Sequence, residues 1–265
     1  MNSVHATSGM VEQPVVITRV AERHWHALAD DRVIGRAEAS PRSDGRIFLS
    51  NDSWHDWVFD QLAGAMLADL PTPLYTVVDE ADRDLTSSWQ RAGFTVRRRE
   101  WEYVVPTDPR ATGLDSVLPP SGVTIVPVGA AEEAPLRAVD RAIRDEVEAT
   151  VGWQSMPAEV VPLPAGITVL DPSTYAAAAQ SDRYVGLVRV ATLTRRPRIG
   201  LIAVLTDQHR RGIARALLAD VLGWLHRSGI DTASAEVTES NEAATALFEG
   251  IGARRASSNL ELVRR

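Results

Sequence analysis

The chain contains no cysteine and no lysine. Without cysteine it has no disulfide, no thiolate metal site and no cysteine nucleophile. All 28 basic side chains are therefore arginines, a bias that reads as codon usage in a GC-rich genome. No apolar run approaches the roughly 18 residues that a membrane span requires. Residues 1–13 lack a basic segment followed by an apolar one, so they read as a flexible leader and not as a signal peptide. Together these absences lead us to expect a cytoplasmic protein with no membrane partner. The net charge of −7 excludes a general nucleic-acid binder, which needs a basic surface for phosphate contacts. An acidic surface suits cationic ligands such as amines.

What is present is a 265-residue chain, 45% hydrophobic and 24% charged, a profile that supports a real core. A Pro/Gly/Ser-rich stretch, 107–121, lacks apolar periodicity and reads as a linker. It would separate a unit at 14–106 from one at 122–265. Both units open on a β-branched strand, Val15 to Val20 and Val123 to Val128. Both close alike as well. A short helix from Asp84 to Ala92 meets Gly93 and is followed by a strand from Trp101 to Val105. A helix from Asn241 to Glu249 meets Gly250 and is followed by a strand from Leu260 to Val263. This repetition reads as an internal duplication of a mixed α/β unit.

The first unit has room for strands (Trp25 to Leu28, Arg32 to Ala39, Arg46 to Leu49) but little for a helix pair, so it reads as truncated. Ser43-Asp44-Gly45 is a hairpin signal. A helix is expected from Ser53 to Leu70, with Trp54, Trp57, Val58 and Leu62 as a core-packing stripe. The second unit is fuller, with a helix from Glu132 to Glu148 and an irregular binding-loop candidate from Val151 to Asp171. Strands are expected at Tyr184 to Thr192 and Ile199 to Leu205.

The chemistry is concentrated between Ile199 and Gly252. The apolar strand Ile199 to Leu205 breaks at Thr206-Asp207-Gln208 and enters His209-Arg210-Arg211-Gly212-Ile213-Ala214-Arg215. From there Ile213, Leu217, Leu218, Val221, Leu222 and Leu225 keep helical spacing until Ser228-Gly229. A glycine turn at a helix N-terminus is an anion site, because the first N–H groups lack intrahelical partners and the dipole is positive there. Arg210, Arg211 and Arg215 add charge suited to phosphates. Another strand follows, Ile230 to Val237, and then the helix that Asn241 would cap.

This arrangement resembles the GNAT superfamily of N-acetyltransferases over residues 180–263. The family's diphosphate loop, Gln/Arg-x-x-Gly-x-Gly/Ala, corresponds to His209 through Ala214, and its later helical element corresponds to Asn241 through Ala253. The resemblance implies an α/β fold of two GNAT-like domains, in tandem, with a mixed sheet flanked by helices and a degenerate first copy. The first copy's helix entry, Asn51 to Asp56, is acidic and has no glycine loop, so it should bind no diphosphate. By resemblance, acetyl-CoA is the co-substrate. Ile202, Ala203 and Val204 would offer backbone groups to its pantetheine arm. Arg210, Arg211, Gly212, Ile213, Ala214 and Arg215 would cradle the diphosphate, and Asn241 would hydrogen-bond the cofactor. Glu236 matches the position of a catalytic base in one branch of the family; the alternative role is a solvated strand carboxylate.

Two positions depart from the family pattern. His209 replaces Gln or Arg, which the backbone amides tolerate. Phe248 replaces the tyrosine often used as general acid, and a phenyl ring has no proton to give. A thiol leaving group of pKa about 8.5 makes thiolate release at neutral pH cost only about 2 kcal/mol. The acid can thus be dispensed with, at reduced rate, or replaced by water, Tyr184, Ser257 or Ser258.

The histidines show no metal spacing, although His24 and His26 alternate along one strand and share a face. The expected activity is acetyl transfer from acetyl-CoA to a primary amine of a small, cationic molecule by direct attack, with no metal. The alternatives are a non-catalytic acyl-CoA sensor or scaffold, or a structural pair whose first half serves as a homodimer surface.

Overall fold

A computed structural model of the chain describes residues 15–42, 44–152, 170–192 and 196–265. The leader (1–13), Ser43 of the hairpin signal, and most of the 151–171 loop candidate lie outside the described residues.

The first half contributes β1 (Val16–Ala21), β2 (His24–Ala29), β3 (Arg32–Pro41), β4 (Ile47–Ser53), α1 (Asp56–Asp69), β5 (Leu74–Asp79), α2 (Arg83–Arg91) and β6 (Thr95–Pro106). After a one-turn helix, α3 (Pro109–Thr112), come β7 (Val123–Val126), α4 (Glu133–Thr150), β8 (Tyr175–Gln180), β9 (Arg183–Ala191) and β10 (Arg198–Val204). The chain ends with α5 (Ile213–Arg227), β11 (Thr232–Thr238), α6 (Glu242–Glu249) and β12 (Arg254–Arg264). Among the described residues the strands form one sheet in the order β1-β2-β3-β4-β5-β12-β6-β11-β10-β9-β8-β7.

Each half contains one parallel pair, and each parallel pair is short. β4 and β5 are joined only at Ile47↔Leu74 and Phe48↔Tyr75. β10 and β11 are joined only at Arg198↔Ser234 and Ile199↔Ala235. Beyond these pairs the two strands have no ladder between them, and the backbone groups facing the gap are left for another partner.

The strands that close the two halves are exchanged. β6, from the first half, pairs with β11 from Thr232↔Pro106 through Thr238↔Glu100. β12, from the second half, pairs with β5 from Asn259↔Asp79 through Arg264↔Leu74. The cores follow the exchange. Tyr103 and Val105 are buried with the second-half residues, whereas Leu260 and Leu262 are buried with the first-half residues. Such a fully buried side chain contributes about 1.5–3 kcal/mol, so each core draws stability from the other half's strand. β6 and β12 meet at the centre of the sheet. There Glu261, 2% exposed, lies 2.8 Å from Arg98 and 3.4 Å from Arg46, with Arg97 also paired to it.

Local chemistry explains most elements. Asp82 caps α2 by accepting from the N–H of Leu85, and Asn241 caps α6 by accepting from that of Ala244, each satisfying a donor with no helical partner. Gly35 allows α1 to approach β3. A Cβ there would sit 2.9 Å from both Leu62 Cδ1 and Val58 Cγ1.

One expectation needs correction, and two features lie beyond the sequence reading. The stripe on α1 is only partly core: Val58 and Leu62 are buried, but Trp54 is 82% exposed and Trp57 38%. β4 extends to Ser53, which pairs with Gly35. The helix therefore starts at Asp56, leaving Trp54 outside it, and Trp57 turns away from its neighbour Val58. The segment 107–121 is not free of packing. Thr107 donates its N–H to the carbonyl of Asp231, and Leu114 is buried in the second core. Strand β8 was not anticipated, because its run of four alanines, Ala176 to Ala179, carries little strand propensity.

Candidate active site

The gap between β10 and β11 opens beside the N-terminus of α5. Thr206 to Gln208 form a short 3₁₀ turn after β10. Arg210 and Gly212 then take positive φ, 58° and 89°. Gly212 is the N-cap of α5, with no side chain satisfying the first helical N–H groups. Ala216 N–H is the first to bond back, to the carbonyl of Gly212 at 3.0 Å. That leaves the N–H groups of Ile213, Ala214 and Arg215 at the positive end of the helix dipole. A Cβ at Gly212 would meet nothing within 4 Å, so glycine is required here by the backbone angle and the space above it is open.

The loop is held from several sides. Glu146 of α4 accepts from both the N–H and the hydroxyl of Thr206, at 3.0 and 2.8 Å. Hydrogen bonds from Gln208 and Arg183 hold the Asp207 carboxyl below its ordinary value. His209 Nε2 lies 2.8 Å from the carbonyl of Val204, so the residue that departs from the family pattern ties the loop to the strand end. Arg211 is bonded to the side chain of Gln208. Arg210 and Arg215 have no ion pair among the described residues and are the cations left for an anion. The loop thus combines N–H donors, positive charge and open space, the features that an anionic group requires.

Ile202, Ala203 and Val204 pair with β9 on one side and border the gap on the other. The Val204 carbonyl already carries His209, though a carbonyl has a second lone pair. Asn241 uses its Oδ1 to cap α6, which leaves its amide donors. Glu236 is the first β11 residue beyond the last parallel pair, where the strands part. Ala235 and Val237 are buried, and Glu236 points to the opposite face of the strand with a side chain 26% exposed. Its carboxylate lies 2.9 Å from the Arg198 guanidinium.

Phe248 is 3% exposed and stacks on Tyr103 with ring centroids 6.1 Å apart. Of the three side chains named as substitute acids, the two serines have their protons engaged elsewhere, whereas Tyr184 keeps its own. Tyr184 accepts from the N–H of Glu132, Ser257 donates to Glu102, and Ser258 donates to Glu80. Three residues that shape the site were missed in the sequence: Arg198, Glu146 and Glu102. Their partners are 38, 60 and 134 positions away, for Arg198–Glu236, Glu146–Thr206 and Glu102–Glu236 (236 − 198, 206 − 146, 236 − 102), and no local pattern marks such pairs. His24 and His26 do share the face opposite α1, with His24 3.9 Å from Glu38. Among the described residues no group of three His, Asp or Glu side chains could hold a metal, and no helix is long and apolar enough to cross a membrane.

Residues 142–253 match the acetyltransferase (GNAT) family model. This segment is a GNAT domain. The whole fold is shared with solved structures at low identity. A GCN5-related N-acetyltransferase from Sphaerobacter thermophilus aligns at TM-score 0.63 and 16% identity, covering 93% of this chain and 82% of that one. A tandem GNAT protein from the clavulanic acid biosynthesis pathway aligns at 0.63 and 14%, covering 91% and 82%. A GCN5-related N-acetyltransferase from Kribbella flavida aligns at 0.57 and 14%, covering 95% and 89%. The α/β fold is thus the tandem GNAT fold, and its GNAT domain contains both the α5 anion loop and the β10–β11 gap. No curated protein matches the chain.

Proposed function

We propose that the protein is an acetyl-CoA-dependent N-acetyltransferase acting on a primary amine of a small, cationic molecule. The observation that carries this reading is the conjunction of an open helix N-terminus, an unladdered strand edge and a carboxylate where the strands part. The α5 N–H groups with Arg210 and Arg215 would hold the diphosphate, and the free edge of β10 would hold the pantetheine arm. Acetyl-CoA supplies the acetyl group as a thioester.

Glu236 would take a proton from the acceptor ammonium, freeing the nitrogen lone pair. The nitrogen–carbon bond then forms as the carbon–sulfur bond breaks; the nitrogen gives up its second proton to solvent, and the sulfur departs with the bonding pair. With Phe248 in place of a phenol, the sulfur leaves as thiolate or takes its proton from water. In this reading residues 14–106 and 122–265 are the two units, the first shaping the site, and the protein works in the cytoplasm.

The test is free-thiol release after mixing with acetyl-CoA and a panel of amines. Glu236→Gln should lower kcat by about a hundredfold or more, the range for a positioned base, while acetyl-CoA affinity holds. A second reading, a non-catalytic acyl-CoA sensor, is favoured by the buried Phe248–Tyr103 stack and by the committed hydroxyl protons of Ser257 and Ser258. Tight acetyl-CoA binding without turnover on any amine, unaltered by Glu236→Gln, would select it.

A further inference from the structure

The carboxylate that faces Glu236 comes from the other half of the chain. In the antiparallel β6–β11 pair, Glu236 stands opposite Glu102. Directly opposed side chains share a face, with Cβ atoms about 4.5–5.5 Å apart. On the far side of β6, Ser257 of β12 stands opposite Glu102 and donates its hydroxyl to Glu102 Oε2 at 2.5 Å. A row of side chains therefore crosses four strands: Arg198, Glu236, Glu102, Ser257. It begins where β10 and β11 part, on the face turned away from the Phe248–Tyr103 stack, and both carboxylates are half-buried.

The two carboxylates are electrostatically different. Arg198 sets a full positive charge 2.9 Å from Glu236. Glu102 is held by a neutral hydroxyl, and no cation among the described residues pairs with it. Glu102 therefore adds to the row a negative charge that can accept a cation. The nitrogen that attacks a thioester must be neutral, so a cation that stays charged through the reaction has to be a second group on the acceptor.

We propose that Glu102 is the specificity-determining anchor for that second group, so that the acceptor is a short aliphatic diamine or polyamine. One ammonium rests on Glu102, and the neighbouring nitrogen lies against Glu236. The exchanged strand β6 thereby brings a first-half residue into the second-half site. This inference rests on the acetyltransferase reading for the role of Glu236. The binding of the diamine to Glu102 can be measured without turnover.

The experiment titrates putrescine and, separately, n-butylamine into the CoA-loaded full chain by calorimetry, for wild type, Glu102→Gln and Glu102→Asp. Thiol release from acetyl-CoA is followed in parallel. The anchor predicts that Glu102→Gln weakens putrescine binding about tenfold or more, the loss expected for a charge-assisted hydrogen bond. Glu102→Asp restores part of it, n-butylamine is little affected, and acetyl-CoA affinity does not change. Absence of putrescine binding to wild type, binding by Glu102→Gln within about twofold of wild type, or equal losses for the two amines overturns it. Should Glu102→Gln fail to fold, wild-type salt dependence decides. The anchor requires putrescine affinity to fall more steeply with ionic strength than that of n-butylamine, and parallel slopes overturn it. Putrescine binding that depends on Glu102, with no thiol released on any amine, supports the anchor and sinks the acetyltransferase reading instead.

Discussion

Arg198 and Glu236 lie 2.9 Å apart across the last parallel pair before β10 and β11 separate. The arginine on one strand thus fixes the direction of the carboxylate on the other. Replacing Arg198 with Gln removes that constraint while keeping the strand. The expected outcome is a fall in kcat of about tenfold, smaller than for loss of the base itself, with acetyl-CoA affinity unchanged. Steady-state kinetics with the best amine of the panel checks this. Equal kcat in wild type and variant would remove Arg198 from the site.

Gly212 provides a separate handle on the anion loop. Its φ of 89° costs an L-residue about 1–2 kcal/mol, and a side chain would enter the open space above the helix end. Gly212→Val should lower the melting temperature and weaken acetyl-CoA binding by about tenfold or more. Calorimetry and thermal melting separate the two effects.

Arg210 and Arg215 have no ionic partner among the described residues, so replacing them leaves no stranded carboxylate. The double variant to Ala should fold as wild type does. It should bind acetyl-CoA with a shallower dependence on ionic strength, because two charges facing the diphosphate are gone. A salt titration of the dissociation constant reads this directly.

Glu261 lies at the junction of the two closing strands with three arginines around it. Glu261→Gln removes the only charge shared by Arg46, Arg97 and Arg98 among these pairs. Breaking a buried pair costs about 3–5 kcal/mol. Since both cores contain a strand that touches this point, the substitution should lower the stability of both halves together, as read by denaturation. Two probes, Trp25 and Trp89 in one core against Tyr103 in the other, should report coincident shifts.

Burial raises the carboxyl pKa of Asp220 on α5, and the nearby Arg227 offsets this only in part. The sign follows from linkage. An acid whose folded pKa lies above its unfolded value binds its proton more readily in the fold, so its ionised form costs stability at neutral pH. That cost disappears as pH falls below the ordinary carboxyl value of 3.8. Asp220→Asn should therefore raise the melting temperature at pH 7 and leave it unaltered at pH 3.

The anion loop was legible in the sequence because its requirement is local. A glycine after an apolar strand and before a helical repeat has one physical use, and Gly212 takes the backbone angle that use demands. The closing strands were legible as strands but not in their pairing. Trp101 to Val105 reads as a β segment wherever it docks, and nothing in its alternation says that its partner is β11 and not β5. The α1 aromatics misled because Trp54 and Trp57 share a composition with core residues, whereas the strand running to Ser53 decides where the helix begins. The alanines of β8 carry no pattern, since a strand with both faces covered selects for size. Glu102 was invisible as a site residue for the same reason as the exchange: its neighbour Glu236 is set by the β6–β11 register.

The exchange of β6 and β12 has a consequence for any cut in the chain between them. A protease nick within 107–121 would leave two polypeptides, each folded around a strand borrowed from the other. Neither piece is a free-standing module. They would co-purify as a non-covalent heterodimer and, produced separately, would need each other as folding templates.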